Sequence, residues 1–149
     1  MSEEPIKNEV QIVLAEGVEM PAYATNGSAG LDVRAFLPEP VSIYPSETKR
    51  IPTGIKVAMP DNLAVMVLPR SGHASRGLQV ANAPGLVDSD YRDDIGVLLY
   101  NTTESVMVIE PNDRIAQLKF EQVVKPEFKQ VTLLDTTERK GGFGSTGTK

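Results

Sequence analysis

A chain of 149 residues fits one domain with one core and can bury roughly two thirds of its unfolded surface. A formal net charge of -5, no cysteine and a single histidine, His73, exclude a general nucleic-acid or anionic-membrane binder, disulfides, thiolate zinc sites, cysteine nucleophiles and histidine-rich metal sites. No apolar run reaches the length of a membrane span and the start MSEEPIKNEV reads as neither signal nor transit peptide, so a soluble protein of the cytoplasm, or of the nucleus in a eukaryotic cell, is expected.

Residues 9–14 set Val10, Ile12 and Leu14 against polar neighbours, the period of a half-buried strand. After the loop TNGSAG, the segment LDVRAF places Leu31, Val33 and Ala35 on one face and Asp32, Arg34 and Phe36 on the other. Alternation resumes at 41–44, beyond Pro38 and Pro40, and again with Ile55, Val57 and Met59 before the turn Pro60-Asp61-Asn62. The apolar run 63–68 has the look of a strand buried on both faces.

In PRSGHASRG, residues 69–77, Ser71 is placed to N-cap a helical turn over 73–76 that Gly77 ends. Backbone N–H groups at that start, beside Arg70, suit an anion. Further on, Pro84 and Gly85 predict a turn, Leu86 and Val87 an apolar step, and Asp88, Asp90, Asp93 and Asp94 then crowd four carboxylates into seven residues. Such a loop is either simply solvated or set beside a cation or an acid/base task; residues 95–100 hold it at the mouth of a strand.

Strands are expected at 105–110 and 114–120, joined by Pro111-Asn112-Asp113, while Pro126 interrupts 123–131. Within the second of these strands Gln117 falls on the opposite phase from Leu118 and Phe120, which predicts exposure. The tail DTTERKGGFGSTGTK, 135–149, has the composition of a disordered segment. Its glycines also allow close approach to phosphate oxygens, Ser145 and Thr146 add hydroxyls, and Phe143 offers a face for a base. It is not a P-loop, because Thr148 precedes Lys149 where that motif needs lysine first. Short strands, eleven prolines and no amphipathic helix of useful length predict an all-β sandwich, jelly roll or barrel.

Singly, Asp32, Arg70, Arg76, Tyr91 and Arg114 have ordinary readings as strand, surface or packing residues. Together, five separated segments resemble, in order, the five motifs of the trimeric deoxyuridine triphosphatase (dUTPase) family: AGLDVRA at 29–35, PRSGHASRG at 69–77, NAPGLVDSDYRDDI at 82–95, RIAQLKF at 114–120 and ERKGGFGSTG at 138–147. The resemblance implies an all-β jelly roll or distorted β-barrel with one short helical turn, a catalytic domain over 1–134, and a flexible glycine-rich tail over 135–149 that closes over the substrate of a neighbouring subunit. The implied reaction is magnesium-assisted hydrolysis of dUTP to dUMP and pyrophosphate by water attack on the α-phosphorus, in a homotrimer with shared sites and no nucleic-acid or membrane partner. It would lower dUTP and supply dUMP for thymidylate synthesis.

Carried over by position, the resemblance makes Asp88 the residue that activates the attacking water and contacts the 3′-hydroxyl. Tyr91 lies where a 2′-hydroxyl would clash, and Asn82 with Gly85 and nearby backbone reads uracil. Arg70, Ser71 and Gly72 with Gln117 hold the phosphates, and Asp32 positions the hydrated magnesium through water. In the tail, Phe143 stacks on uracil while Gly144, Ser145 and Thr146 close over the γ-phosphate. Three positions depart from the family's pattern. Glu138 stands where arginine is usual, leaving Arg139, with Lys140 beside it, for the γ-phosphate; the second motif is one residue shorter, with His73 at an apolar position; and Asp93 replaces a glycine. Two other readings stand beside this one: a deoxycytidine triphosphate deaminase, which wants a glutamate proton shuttle where this loop offers aspartates, and a non-catalytic nucleotide-binding regulator.

Overall fold

Apolar alternation in this chain is resolved by antiparallel pairing. The computed structural model describes residues 8–144, 146 and 147, and among them contains eleven strands and one short helix. Strand β1 (Gln11–Leu14) pairs with β5 (Ile55–Ala58), and β3 (Val41–Ile43) with β10 (Met107–Ile109). A four-stranded sheet runs β2 (Leu31–Arg34), β11 (Arg114–Gln122), β6 (Leu63–Leu68), β8 (Gly85–Val87). A three-stranded sheet runs β4 (Thr48–Pro52), β9 (Gly96–Asn101), β7 (Leu78–Val80). The four sheets wrap one core as a distorted barrel, the all-β class that the short strands predict.

That core is aliphatic: Val33, Ile43, Ile51, Val65, Val97, Leu99, Ile115 and Leu118 are all buried in one cluster. Each such side chain contributes about 1.5–3 kcal/mol relative to exposure. Strand β6 shows why its sequence is continuously apolar. It lies between β11 and β8, with Leu63, Ala64, Val65 and Val67 buried and Met66 and Leu68 half-buried.

Four details differ from the sequence reading. Strand β4, TKRIP, carries no visible alternation because only Ile51 is buried; its pairing from Thr48↔Tyr100 to Pro52↔Gly96 makes it a strand, and as an edge it tolerates Pro52. Gly85 opens β8 rather than closing a turn; the bend lies over 81–84, and the Ala83–Pro84 peptide is cis. Ser71 is not the N-cap of the helix α1 (Ser71–Ser75). Arg70 occupies that position in extended backbone with no side-chain cap, because a guanidinium only donates hydrogen bonds, and Ser71 is the first helical residue. Gly77 does end the turn, at φ +91°.

The fourth difference is a bulge. Strand β11 pairs Arg114 with Arg34 but Ala116 with Val33, so the register shifts by one between them. Two consecutive residues, Ile115 and Ala116, are thereby buried at 1% and 0% exposure. The shift sets Gln117 opposite Asp32 on one side, with Leu68 on the other. Gln117 keeps the phase opposite to buried Leu118, but between these neighbours it is half-buried, not exposed. Beyond Gln122 the described chain forms no further strand, and Val124, Phe128, Leu133 and Leu134 are each at least 80% exposed.

One buried polar side chain ties the sheets together. Asn101, at 0% exposure, donates from Nδ2 to the carbonyls of Ile43 at 2.9 Å and Ser105 at 2.7 Å, and accepts at Oδ1 from the Thr103 N–H and hydroxyl. Replacing it by alanine takes the partner from the buried Ile43 carbonyl and the part-buried Thr103 N–H, each costing about 1–3 kcal/mol when left unpaired and dry, while the Thr103 hydroxyl and the Ser105 carbonyl keep each other. Asn101→Ala is expected to lower the urea midpoint by an amount equivalent to about 3 kcal/mol; a midpoint equal to wild type would refute the bond accounting.

Candidate active site

The third-motif residues converge on one pocket. A cavity of about 380 Å³ is lined by Asn82, Gly85, Asp88 and Tyr91, with Val67, Val87, Ile95, Gly96, Leu98 and Arg50 completing its wall. Asn82 comes from the bend between β7 and β8, Asp88 follows the end of β8, and Tyr91 lies in the loop leading to β9. Gly85 is required here: a Cβ on it would stand 3.2 Å from Val67 Cβ and 3.3 Å from Asn82 Nδ2, so its absence gives the Asn82 amide its place. Asp88 is exposed at the pocket and takes no side-chain hydrogen bond from the described residues, leaving its carboxylate available to a water.

The loop holding Tyr91 is fastened at several points. The Tyr91 N–H donates to the Asp88 carbonyl at 3.2 Å and its hydroxyl to the Asp94 carbonyl at 2.8 Å. Arg92 donates to the carbonyls of Ser89 and Tyr91. Asp94 anchors the far end, its carboxylate accepting from the backbone N–H of Thr53 at 3.2 Å and of Gly54 at 2.6 Å in the turn between β4 and β5. The acidic cluster therefore divides: Asp94 is structural, while Asp88, Asp90 and Asp93 face solvent.

The first, second and fourth motifs form a second cluster. Arg70 Nε donates to Asp32 Oδ1 at 3.1 Å, a partly exposed ion pair. Gln117 lies opposite Asp32, and Gly30 leaves room for its amide, since a Cβ there would meet Gln117 Oε1 at 2.8 Å. Ser71 and Gly72 follow Arg70 on the exposed side of α1. His73, at the apolar position of the motif, uses its ring Nε2 to bond the Arg114 carbonyl at 2.6 Å, tying α1 to the start of β11.

The two clusters stand apart: the pocket is lined by Val67 of β6 and by Gly85, Leu86 and Val87 of β8, whereas Gln117 pairs with Leu68 on the β11 side of β6. Among the described tail residues none lines either cluster: Arg139, Lys140, Phe143, Gly144 and Thr146 are exposed, with Phe143 at φ 50° and Gly144 at φ +86°, and the remaining tail residue of the sequence reading, Ser145, lies outside the described residues. Among the described residues no three His, Cys, Asp or Glu side chains converge to hold a metal. Nor is any helix among them long and apolar enough to cross a membrane.

A family model described as dUTPase matches residues 16–147. The chain belongs to the dUTPase family. Its relatives include the deoxyuridine 5′-triphosphate nucleotidohydrolase of Fusobacterium nucleatum, 45% identical over 95% of this chain and 98% of the relative, and that of Mannheimia succiniciproducens, 50% identical over 86% and 87%. Among solved structures, a Staphylococcus bacteriophage 80alpha dUTPase bound to dUpNHpp superposes with a TM-score of 0.85 at 26% identity, covering 95% of this chain and all of that one. A dUTPase from phage phi11 of S. aureus, solved with a structural Mg(II) ion, shares the fold with a TM-score of 0.77 at 24% identity, over 87% of this chain and 100% of that one.

Sequence reasoning gave no role to Arg50, which lines the pocket, or to Asp94, which anchors its loop. Arg50 carried no signal, being one of two bases in an unrecognised edge strand, and Asp94 was visible only as one carboxylate among four. Their partners are remote in sequence, so local pattern had no means of finding them. The division of the loop has a direct consequence for stability. Asp94→Ala strands the N–H groups of Thr53 and Gly54 and is expected to destabilise by about 2 kcal/mol, whereas Asp93→Ala, which removes a solvated charge, is expected to change stability by less than about 0.5 kcal/mol. Urea unfolding of both variants checks this; equal effects would refute it.

Proposed function

We propose that this protein is a dUTP diphosphatase in which Asp88 activates the attacking water and the two clusters, from neighbouring chains, close on one nucleotide. The reaction is that of the family: dUTP and water give dUMP and pyrophosphate, which lowers dUTP and supplies dUMP for thymidylate synthesis. The observation that carries the assignment of roles is the convergence of Asn82, Gly85, Asp88 and Tyr91 on one pocket of nucleoside size. In this reading the Asn82 amide and hairpin backbone pair with the uracil edge, and the Tyr91 ring walls the deoxyribose at C2′. Asp88 accepts a proton from the water as its oxygen attacks the α-phosphorus and the bond to the bridging oxygen of pyrophosphate breaks. No glutamate lines the pocket, which disfavours deamination at an exocyclic amine.

The second cluster supplies the phosphate contacts. Arg70, Ser71, Gly72 and Gln117 offer a guanidinium, a hydroxyl, backbone N–H groups and an amide to the negative charge that develops on the leaving pyrophosphate. Asp32 has one oxygen on Arg70, and its other accepts no side-chain bond from the described residues. A lone carboxylate beside phosphate donors fits magnesium, which keeps several waters and takes phosphate oxygens for most of its shell. Held there through water by Asp32, the ion would offset phosphate charge.

The assembly proposed is a homotrimer. Two separate clusters on one chain are suited to completion by a neighbour, and a tail over 135–149 whose described residues are exposed is suited to close over a neighbour's substrate, with Phe143 on uracil and Arg139, Gly144, Ser145 and Thr146 at the γ-phosphate. Exposed Val124, Phe128, Leu133 and Leu134 form an apolar stretch that a partner would cover.

Pyrophosphate release, measured with magnesium and each of dUTP, dTTP, dCTP and UTP, tests the site. Asp88→Asn is expected to lower dUTP turnover by about 10³-fold while retaining binding of a non-hydrolysable dUTP analogue; turnover within a few-fold of wild type would remove Asp88 from its role. Chelation of the divalent ion should suppress turnover in the wild type. Sedimentation equilibrium is expected to return three times the chain mass of 16.1 kDa, and a one-chain mass would overturn the shared site.

A further inference from the structure

Arg50 lines the pocket but has no part in the chemistry above. It stands in β4 opposite Leu98, and Gly96 lies two residues away on the same face of β9. A Cβ built on Gly96 would collide with Arg50 Nε, Cζ and Nη2, and these are its three nearest atoms. The guanidinium therefore lies across the bare α-carbon of Gly96. From there Nη2 donates to the Asp94 carbonyl at 2.7 Å and stands 3.6 Å from the Asp94 carboxylate, so the carbonyl is its main partner. The same carbonyl oxygen receives the Tyr91 hydroxyl at 2.8 Å.

One oxygen thus serves two donors, and the phenol that walls the pocket is held by an atom that Arg50 holds in turn. Both lone pairs of that carbonyl are used, which fixes its direction as well as its position. A wall that excludes one hydroxyl must not yield: misplacement by about 1 Å is enough to change rates about 100-fold. Arg92 cannot substitute, because its guanidinium is engaged with Ser89 and Tyr91 carbonyls inside the loop. Arg50 reaches the loop from another strand and fastens it to the barrel.

We propose that Arg50, seated on Gly96, is a positioning residue for sugar discrimination, acting through the Asp94 carbonyl to hold Tyr91 against ribonucleotides. The inference rests on the reading of the pocket as the deoxynucleoside site and extends it to a residue outside the five motifs.

The test is the ratio of kcat/KM for dUTP to that for UTP. Arg50→Ala is expected to narrow it by about tenfold or more, chiefly through a lower KM for UTP. Arg50→Lys, which keeps the charge and one donor nitrogen but not the planar fork, should give an intermediate ratio. Gly96→Ala displaces the guanidinium without removing it and should narrow the ratio similarly, yet add nothing further in the Arg50→Ala background, where the new methyl meets no guanidinium. An unchanged ratio in both single variants would overturn the proposal, as would equal losses for the two nucleotides, which mark general damage to the pocket. A wild-type enzyme that does not distinguish dUTP from UTP would instead remove the reading of the pocket itself.

Discussion

The pairing of β11 with strands on both its edges is the constraint on which the rest of this structure depends. It joins β2 to β6, carries Ile115, Ala116 and Leu118 into the core, and through its bulge sets Gln117 beside Asp32. Without the bulge, strict alternation would place Ala116 opposite Asp32 and turn the amide toward Leu31. A core requirement and a site requirement are met by the same extra residue. The bulge lies next to the cluster that it aims, a common placement for this irregularity.

The pocket is arranged on a different principle. Its functional side chains sit in a loop, and a loop of four carboxylates has little reason to keep one shape. Backbone-directed bonds supply that reason: the Asp94 carboxylate takes two N–H groups from the turn between β4 and β5, while Arg50, Arg92 and Tyr91 donate to carbonyls. Donors on the loop and on its neighbours thus share acceptors on the loop. Asp88 joins it only through its backbone carbonyl, and among the described residues no side chain bonds its carboxylate.

Much of this was legible in the sequence, and the exceptions share a cause. The alternations at β1, β2 and β5, and the apolar run of β6, report burial directly because each residue's face follows from its neighbours. The motif residues were readable as a set because their order along the chain survives whatever the fold does with them. Strand β4 was hidden, since TKRIP becomes a strand only by pairing with β9, a segment more than forty residues on. Ser71 misled because the preference of serine for the N-cap is weak beside the chain path, which starts the helix one residue earlier. Gln117 misled because its phase fixes the face but not how far Asp32 and Leu68 on the flanking strands cover that face. Arg50 carried no motif at all; its role depends on a glycine in another strand.

The separation of the two clusters also bears on heredity. If each site is completed between chains, the unit that works is not the unit that is encoded. A chain damaged only at the pocket would still offer a sound Asp32–Arg70–Gln117 cluster to its neighbour, and a chain damaged only at that cluster would still offer a sound pocket. Two defective copies, each harmed at a different cluster, would then build some intact sites between them, whereas either copy alone would build none. Lesions would then be grouped by the cluster they strike rather than by their distance along the chain.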